Sequence, residues 1–170
     1  MTVRRIVRLG EDPILRQRAA PVPEVTDEVR ALVAEMFETM RAAEGIGLAA
    51  PQVAVGWRVF VMEVPDGALG ARAFVNPVIV ERWGREVGEE GCLSLPGLAA
   101  EVERAARVVV EAWDEEGRPV RVEAAGLEAR CIQHEVDHLD GVLFIDRVTP
   151  AKRRLLLAEW ERLRKEAARS

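Results

Sequence analysis

The sequence predicts an α+β fold: mainly antiparallel strands packed around a central helix, with an amphipathic helix at the C-terminal end. Runs rich in Val and Ile cluster in the middle of the chain, between stretches of helical periodicity. Two of those runs flank "DEEG" (114–117), a composition suited to a hairpin loop. Residues 126–139 are apolar on two sides of a helix, a pattern that belongs inside a domain rather than on its surface.

In chain order, the first element is a helix over 26–44. Val29, Leu32, Val33, Met36, Phe37 and Met40 fall at i, i+3, i+4, i+7, i+8 and i+11, one continuous face. Thr26 is an N-cap residue type and Gly45 a helix stop. The β-like runs are "WRVFVMEV" (57–64), "AFVNPVIVE" (73–81), "ARVVVEAW" (106–113) and "RPVRVEA" (118–124). Over 126–139, Leu127, Cys131, His134 and His138 share one side, while Ile132, Val136 and Leu139 form a second stripe. A last helix runs from about Thr149, with Leu156, Trp160, Leu163 and Ala167 as a narrow apolar stripe. No repeat, low-complexity tract or linker intervenes, so residues 1–170 read as a single domain.

At 49% apolar and 31% charged, the composition is that of a soluble globular chain long enough to bury a core without cross-links. The opening "MTVRRIVRLG" has positive charge but no apolar stretch after it, unlike a secretory signal. The longest uncharged run, 45–57, is 13 residues, broken by three glycines and a proline, and too short to span a bilayer. These features point to the cytoplasm and away from membranes. In a reducing compartment Cys92 and Cys131, 39 residues apart, are core filler or ligands rather than a disulfide. The net charge of −5 is uneven: residues 150–170 hold seven basic and three acidic side chains, a +4 tail on a −9 body. Such a tail is either a solvated helix face or a surface for a polyanion; sequence-specific nucleic-acid binding is not expected.

Both histidines of the chain fall within "QHEVDH" (133–138). On a helix, His134 and His138 stand one above the other and reach one ion together. Glu135 lies about 100° round the axis, where a general base for water at a metal belongs. Burying these groups is unfavourable unless something pairs with them, and a metal would. Three residues compete as third ligand. Cys131 lies about 10 Å along the axis from His138, too far for a thiolate bonding at about 2.3 Å while His134 also binds. Glu159 would complete the His₂Glu site of a zinc endopeptidase, although it sits among basic residues of the last helix. Cys92, in "EEGCLSLPG" (89–97), belongs to a segment bracketed by glycines and a proline, free of any helix and able to aim a sulfur at one. Composition favours Cys92 and leaves Glu159 open.

With "GIGLAAPQ" (45–52), "EGCLS" (90–94) and "QHEVDH", the chain resembles the three signature stretches of peptide deformylases of the bacterial type, in the family's order. The likeness extends over nearly the whole chain, through the helix ending "ETM", the approach "GLEARCIQHE" and the basic terminal helix. The resemblance implies metal ligation by Cys92, His134 and His138, with one position left open to water. It implies one divalent ion, Fe²⁺ in the cell, with Zn²⁺, Ni²⁺ or Co²⁺ in preparations, all compatible with a thiolate and two imidazoles. The implied reaction removes the formyl group from the N-terminal formyl-methionine of a new polypeptide, releasing formate.

The resemblance makes Glu135 the proton carrier and sets the Gln52 amide and the Leu93 N–H around the developing oxyanion. Ile46, Gly47 and Gly91 would line the substrate backbone, which pairs as an added strand. Leu127 and Cys131, with Leu93 and His134, would surround the methionine side chain. The nascent formyl-methionyl polypeptide is then the partner, and the basic terminal helix a candidate contact with the ribosome. After Gly97 the chain runs "LAA", where some relatives carry an arginine. Glu90 and Arg104 are either an ion pair bracing the cysteine loop or ordinary surface charges. A structural metal module would need a fourth Cys or His ligand, and none is evident.

Overall fold

The computed structural model describes residues 2–169. Helix α1 (Asp27–Ala42) begins where the Thr26 hydroxyl accepts a hydrogen bond from Val29 N. It ends two residues before the expected 44. Glu44 turns left-handed, φ +57°, and the Gly45 N–H returns to Met40 O at 2.9 Å. Seven strands follow among the described residues: β1 (Gly47–Ala49), β2 (Val59–Met62), β3 (Arg72–Trp83), β4 (Glu86–Gly91), β5 (Ala99–Arg104), β6 (Arg107–Trp113) and β7 (Pro119–Ala125). Five form one antiparallel sheet in the order β1-β2-β3-β6-β7. The other two, β4 and β5, make a separate antiparallel hairpin.

Strand β2 shows how the sheet divides the core. Val59 and Val61 face α1, packing among Val33, Met36 and Met40, whereas Phe60 and Met62 point to the opposite face. That alternation is the period-2 consequence of an extended backbone. On the second face lies helix α2 (Gly126–Leu139), buried at every residue from Glu128 to Leu139. Its Ala129, Ile132, Val136 and Leu139 pack on Phe60, Phe74, Val108 and Val110.

The polar residues of α2 hold the surrounding loops. Glu128 accepts from Ala68 N and Leu69 N at 3.0 and 2.9 Å. Gln133 brackets Ala105, accepting from its N–H at 3.0 Å and donating to its carbonyl at 2.9 Å. Arg130 donates to Val102 O and Glu86 O, fastening both strands of the hairpin. Helix α3 (Pro150–Arg169) docks through Leu156, Trp160 and Leu163, and Trp160 Nε1 donates to Leu9 O at 3.0 Å. Ala167 is exposed, so the docked stripe is shorter than the apolar pattern.

Asp146 ties three segments together, accepting from Arg16, from Leu143 N at 2.9 Å and from Arg153 at 3.0 Å. Burial opposes its ionisation, but these donors outweigh burial and hold its carboxyl below the ordinary 3.8. A depressed folded pKa contributes stability that is complete above 3.8 and is lost as pH falls through the folded value. Asp146→Asn should therefore destabilise by about 1–2 kcal/mol at pH 7. That gap should shrink progressively below pH 3.8 when urea unfolding of both proteins is compared across pH.

Candidate metal centre

Helix α2 presents His134, Glu135 and His138 from the interior, and the turn after β4 brings Cys92 across to them. Cys92 Sγ lies 3.3 Å from His138 Nε2, which lies 3.2 Å from His134 Nε2. The three ligand atoms are all within 4.8 Å of one another. A tetrahedral site with nitrogen at about 2.0–2.1 Å and sulfur at about 2.3 Å has edges of about 3.3–3.6 Å, so this donor set fits one ion. Neither Cys131 nor Glu159 joins it. Cys131 is buried with its thiol on Ile46 O at 3.6 Å, and burial pushes that thiol well above its ordinary value. Glu159 is half-buried on α3 and held by Arg162 at 3.0 Å.

Behind His134 stands a buried chain of charge. Glu90 Oε1 is 2.9 Å from His134 Nδ1. The same carboxylate accepts a fork from Arg104, at 2.8 and 2.9 Å, and a third bond from Arg130 at 2.7 Å. Arg104 continues to Asp137 at 2.7 Å, and Asp137 accepts both arms of Arg147. Glu90 and Arg104 are therefore an internal ion pair, not surface charges. Burial disfavours the charged form of Glu90, yet the bonds from Arg104 and His134 prevail and hold its carboxyl well below the usual range. An ionised Glu90 accepts only, so His134 donates Nδ1–H to it and turns its Nε2 lone pair toward Cys92 and His138. Sequence reasoning missed Arg130 and Asp137, although both lie on α2 within one turn of His134.

A cleft of about 350 Å³ opens onto this group. Ile46, Gly47, Gln52, Gly91, Cys92, Leu93, Leu127, Cys131, His134 and Glu135 all line it, so the candidate residues from three separate stretches converge. Gln52 Oε1 is occupied by Ala49 N at 3.0 Å, which turns Nε2 toward Ser94 Oγ at 3.1 Å and Cys92 Sγ at 3.6 Å. Ser94 N also approaches that sulfur, at 3.4 Å. Gly47 is there because nothing larger fits: a Cβ would sit 2.5 Å from Glu135 Oε2 and 2.7 Å from Cys131 Sγ. Burial pushes the Glu135 carboxyl up to about 7. Its Oε1 is enclosed with no hydrogen-bond partner among the described residues.

The model of the polypeptide deformylase family matches residues 3–154. The chain belongs to the peptide deformylase family. The peptide deformylase of Alkalilimnicola ehrlichii is 50% identical over 153 residues, covering 89% of this chain and 86% of that one. The crystal structure of a peptide deformylase from Legionella pneumophila superimposes with a TM-score of 0.92 over 99% of both chains, at 39% identity. That from Ehrlichia chaffeensis in complex with actinonin gives 0.90 over 98% of both, at 37% identity. Peptide deformylase membership decides against the endopeptidase reading, in agreement with the outward position of Glu159.

Removing one member of the buried charge chain should be far more damaging than removing an exposed pair. Glu90→Ala strands Arg104 and Arg130 and should destabilise by about 3–5 kcal/mol. Glu123→Ala, which frees only the exposed Arg107, should change stability by less than about 1 kcal/mol. Denaturant midpoints of the two variants test the contrast.

Proposed function

We propose that this chain hydrolyses the N-formyl group of formyl-methionine at the start of newly made polypeptides, releasing formate. The observation that carries the reading is the meeting of Cys92, His134 and His138 with Glu135 and Gln52 at the end of one peptide-sized cleft. Cys92, His134 and His138 hold one divalent cation, ferrous iron in the cell, with Zn²⁺, Ni²⁺ or Co²⁺ able to take its place. When bound, that cation supplies Lewis acidity, lowering the pKa of water at the site from about 15.7 to near 7.

The chain's own residues do the rest. Glu135 takes the proton of the attacking water and later delivers it to the leaving amine nitrogen, a task suited to a carboxyl that titrates near neutrality. As the formyl carbon becomes tetrahedral, its oxygen gains negative charge. Gln52 Nε2, already fixed by Ala49 and Ser94, and the Leu93 N–H donate to that oxygen. Ile46 just before β1, Gly47 on its free edge and Gly91 at the end of β4 hold the substrate backbone as an added strand. Leu93, Leu127 and Cys131 surround the methionine side chain; the Cys131 thiol acts there as a small apolar group.

The substrate places the protein in the cytoplasm, and among the described residues no helix is long and apolar enough to cross a membrane. Helix α3 is the proposed ribosome contact. Its Arg153, Arg162 and Arg164 are engaged by Asp146, Glu159, Glu166 and Glu161. Lys152, Arg154 and Lys165 are exposed and have no ion-pair partner among the described residues.

Formate release from formyl-Met-Ala-Ser by anaerobically purified protein, with metal content read from the same sample, tests the activity. Glu135→Gln should lower kcat by about 10²–10⁴ while keeping the metal, and Gln52→Ala by about 10²–10³. Cys92→Ala should lose the metal itself. No formate from a metal-loaded sample rejects the reading. For the ribosome, co-sedimentation that weakens with salt and is lost when Lys152, Arg154 and Lys165 become Glu supports docking; sedimentation unchanged by those substitutions rejects it.

A further inference from the structure

We infer that this chain pairs with a second copy of itself along the outer edge of β7, joining two five-stranded sheets into one continuous sheet. The inference does not depend on the reaction, and it leaves the opposite, β1 edge of the sheet to the cleft.

Strand β7 ends the sheet, with no strand beyond it among the described residues. Its ladder with β6 runs from Arg107↔Ala125 to Trp113↔Pro119 without a bulge. Along an antiparallel ladder, hydrogen-bonded pairs alternate with non-bonded ones. Just past its two ends, Asp114 N donates to Arg118 O and Gly126 N donates to Ala106 O. Stepping inward by twos from either bond, Val120, Val122 and Ala124 turn their peptide groups toward β6. Pro119, Arg121, Glu123 and Ala125 therefore turn theirs outward. All four are exposed, and among the described residues no backbone hydrogen bond joins them to another segment. Proteins blunt such an edge with lysines, bulges, prolines or a covering segment. Of these devices β7 has only the proline at its start.

Charge selects a second copy as the occupant, and selects its register. In a two-fold pair, residue i meets j and j meets i, and outward positions must oppose outward positions. Centred on Arg121 or on Glu123, the strand would set like charge against like, which is destabilising. Centred on Val122, it sets Arg121 opposite Glu123 of the second copy, twice over. Each of those pairs exchanges two backbone hydrogen bonds. The same register opposes Ala125 to Pro119 of the second copy, so the missing proline N–H falls on the outermost pair. Within their own sheet Arg121 and Glu123 bind Glu111 and Arg107 at 3.0 and 2.7 Å. Both side chains nevertheless stay about half exposed, at 56% and 52%, which leaves room for a partner's charge.

Sedimentation velocity from about 10 µM to about 1 mM tests the pairing, a range suited to so small an interface. The wild-type chain should pass from monomer to dimer within it. Glu123→Arg opposes arginine to arginine at both pairs, and Arg121→Glu opposes glutamate to glutamate. Either change should raise the dimer Kd by about tenfold or more. An equimolar mixture of the two variants restores opposite charges at both pairs and should form a heterodimer within about threefold of the wild-type Kd. The double variant Arg121→Glu/Glu123→Arg keeps the net charge of −5 and should dimerise like the wild type. Far-UV circular dichroism checks that every variant is folded. A wild-type chain that stays monomeric throughout overturns the inference. So does a dimer that both single reversals leave intact, which would place the interface elsewhere, or a mixture of folded variants that fails to associate.

Discussion

The structure is organised around the burial of one helix that is not apolar. Seven polar side chains of α2 lie in the interior: Glu128, Arg130, Gln133, His134, Glu135, Asp137 and His138. A buried polar group without a partner is destabilising by about 1–3 kcal/mol, so most of these side chains fix the place of a neighbour. Glu128 sets the loop at 68–69, Gln133 the turn at Ala105, and Arg130 both strands of the hairpin. The hairpin in turn carries Glu90 and ends at Cys92. The polar side of α2 thus specifies where the sulfur goes, while its apolar side specifies where the sheet goes.

The two imidazoles that result are not equivalent. His134 is backed by a carboxylate that three guanidinium nitrogens also hold. His138 has no such brace: among the described residues its Nδ1 has no hydrogen-bond partner. One ring is oriented by charge, the other by packing at the base of the helix. This asymmetry lets a single carboxylate, Glu90, control a ligand from a strand that belongs to the smaller sheet.

Much of this was legible in the sequence because it follows from periodicity. The helix at 126–139 and the two-sided apolar pattern that marks it as interior come directly from spacing, as do the faces of α1 and α3. The segment around Cys92 reads as non-helical from its glycines and proline. The hairpin strands were not legible, and the reason is chemical: the inward positions of β4 and β5 include Glu90 and Arg104, which break the apolar alternation a strand is recognised by. Strand β1, three residues long, is too short to carry a pattern. The reach of Asp137 and Arg147 into the charge chain depends on tertiary contacts 10 to 33 residues apart, which no local window contains.

The hydrogen bond between Trp160 and Leu9 joins groups 151 residues apart. Leu9 also donates to Ser94 O, and Val7 donates to Gln52 O, so the first residues of the chain form the floor beneath the cysteine turn. Strands β6 and β7 and helix α2, by contrast, are consecutive and assemble from short loops. Closing so long a loop is entropically demanding. The station of the sulfur thus depends on the first residues of the chain as well as on α2. The two ends of the polypeptide meet beneath the one ligand that α2 does not carry.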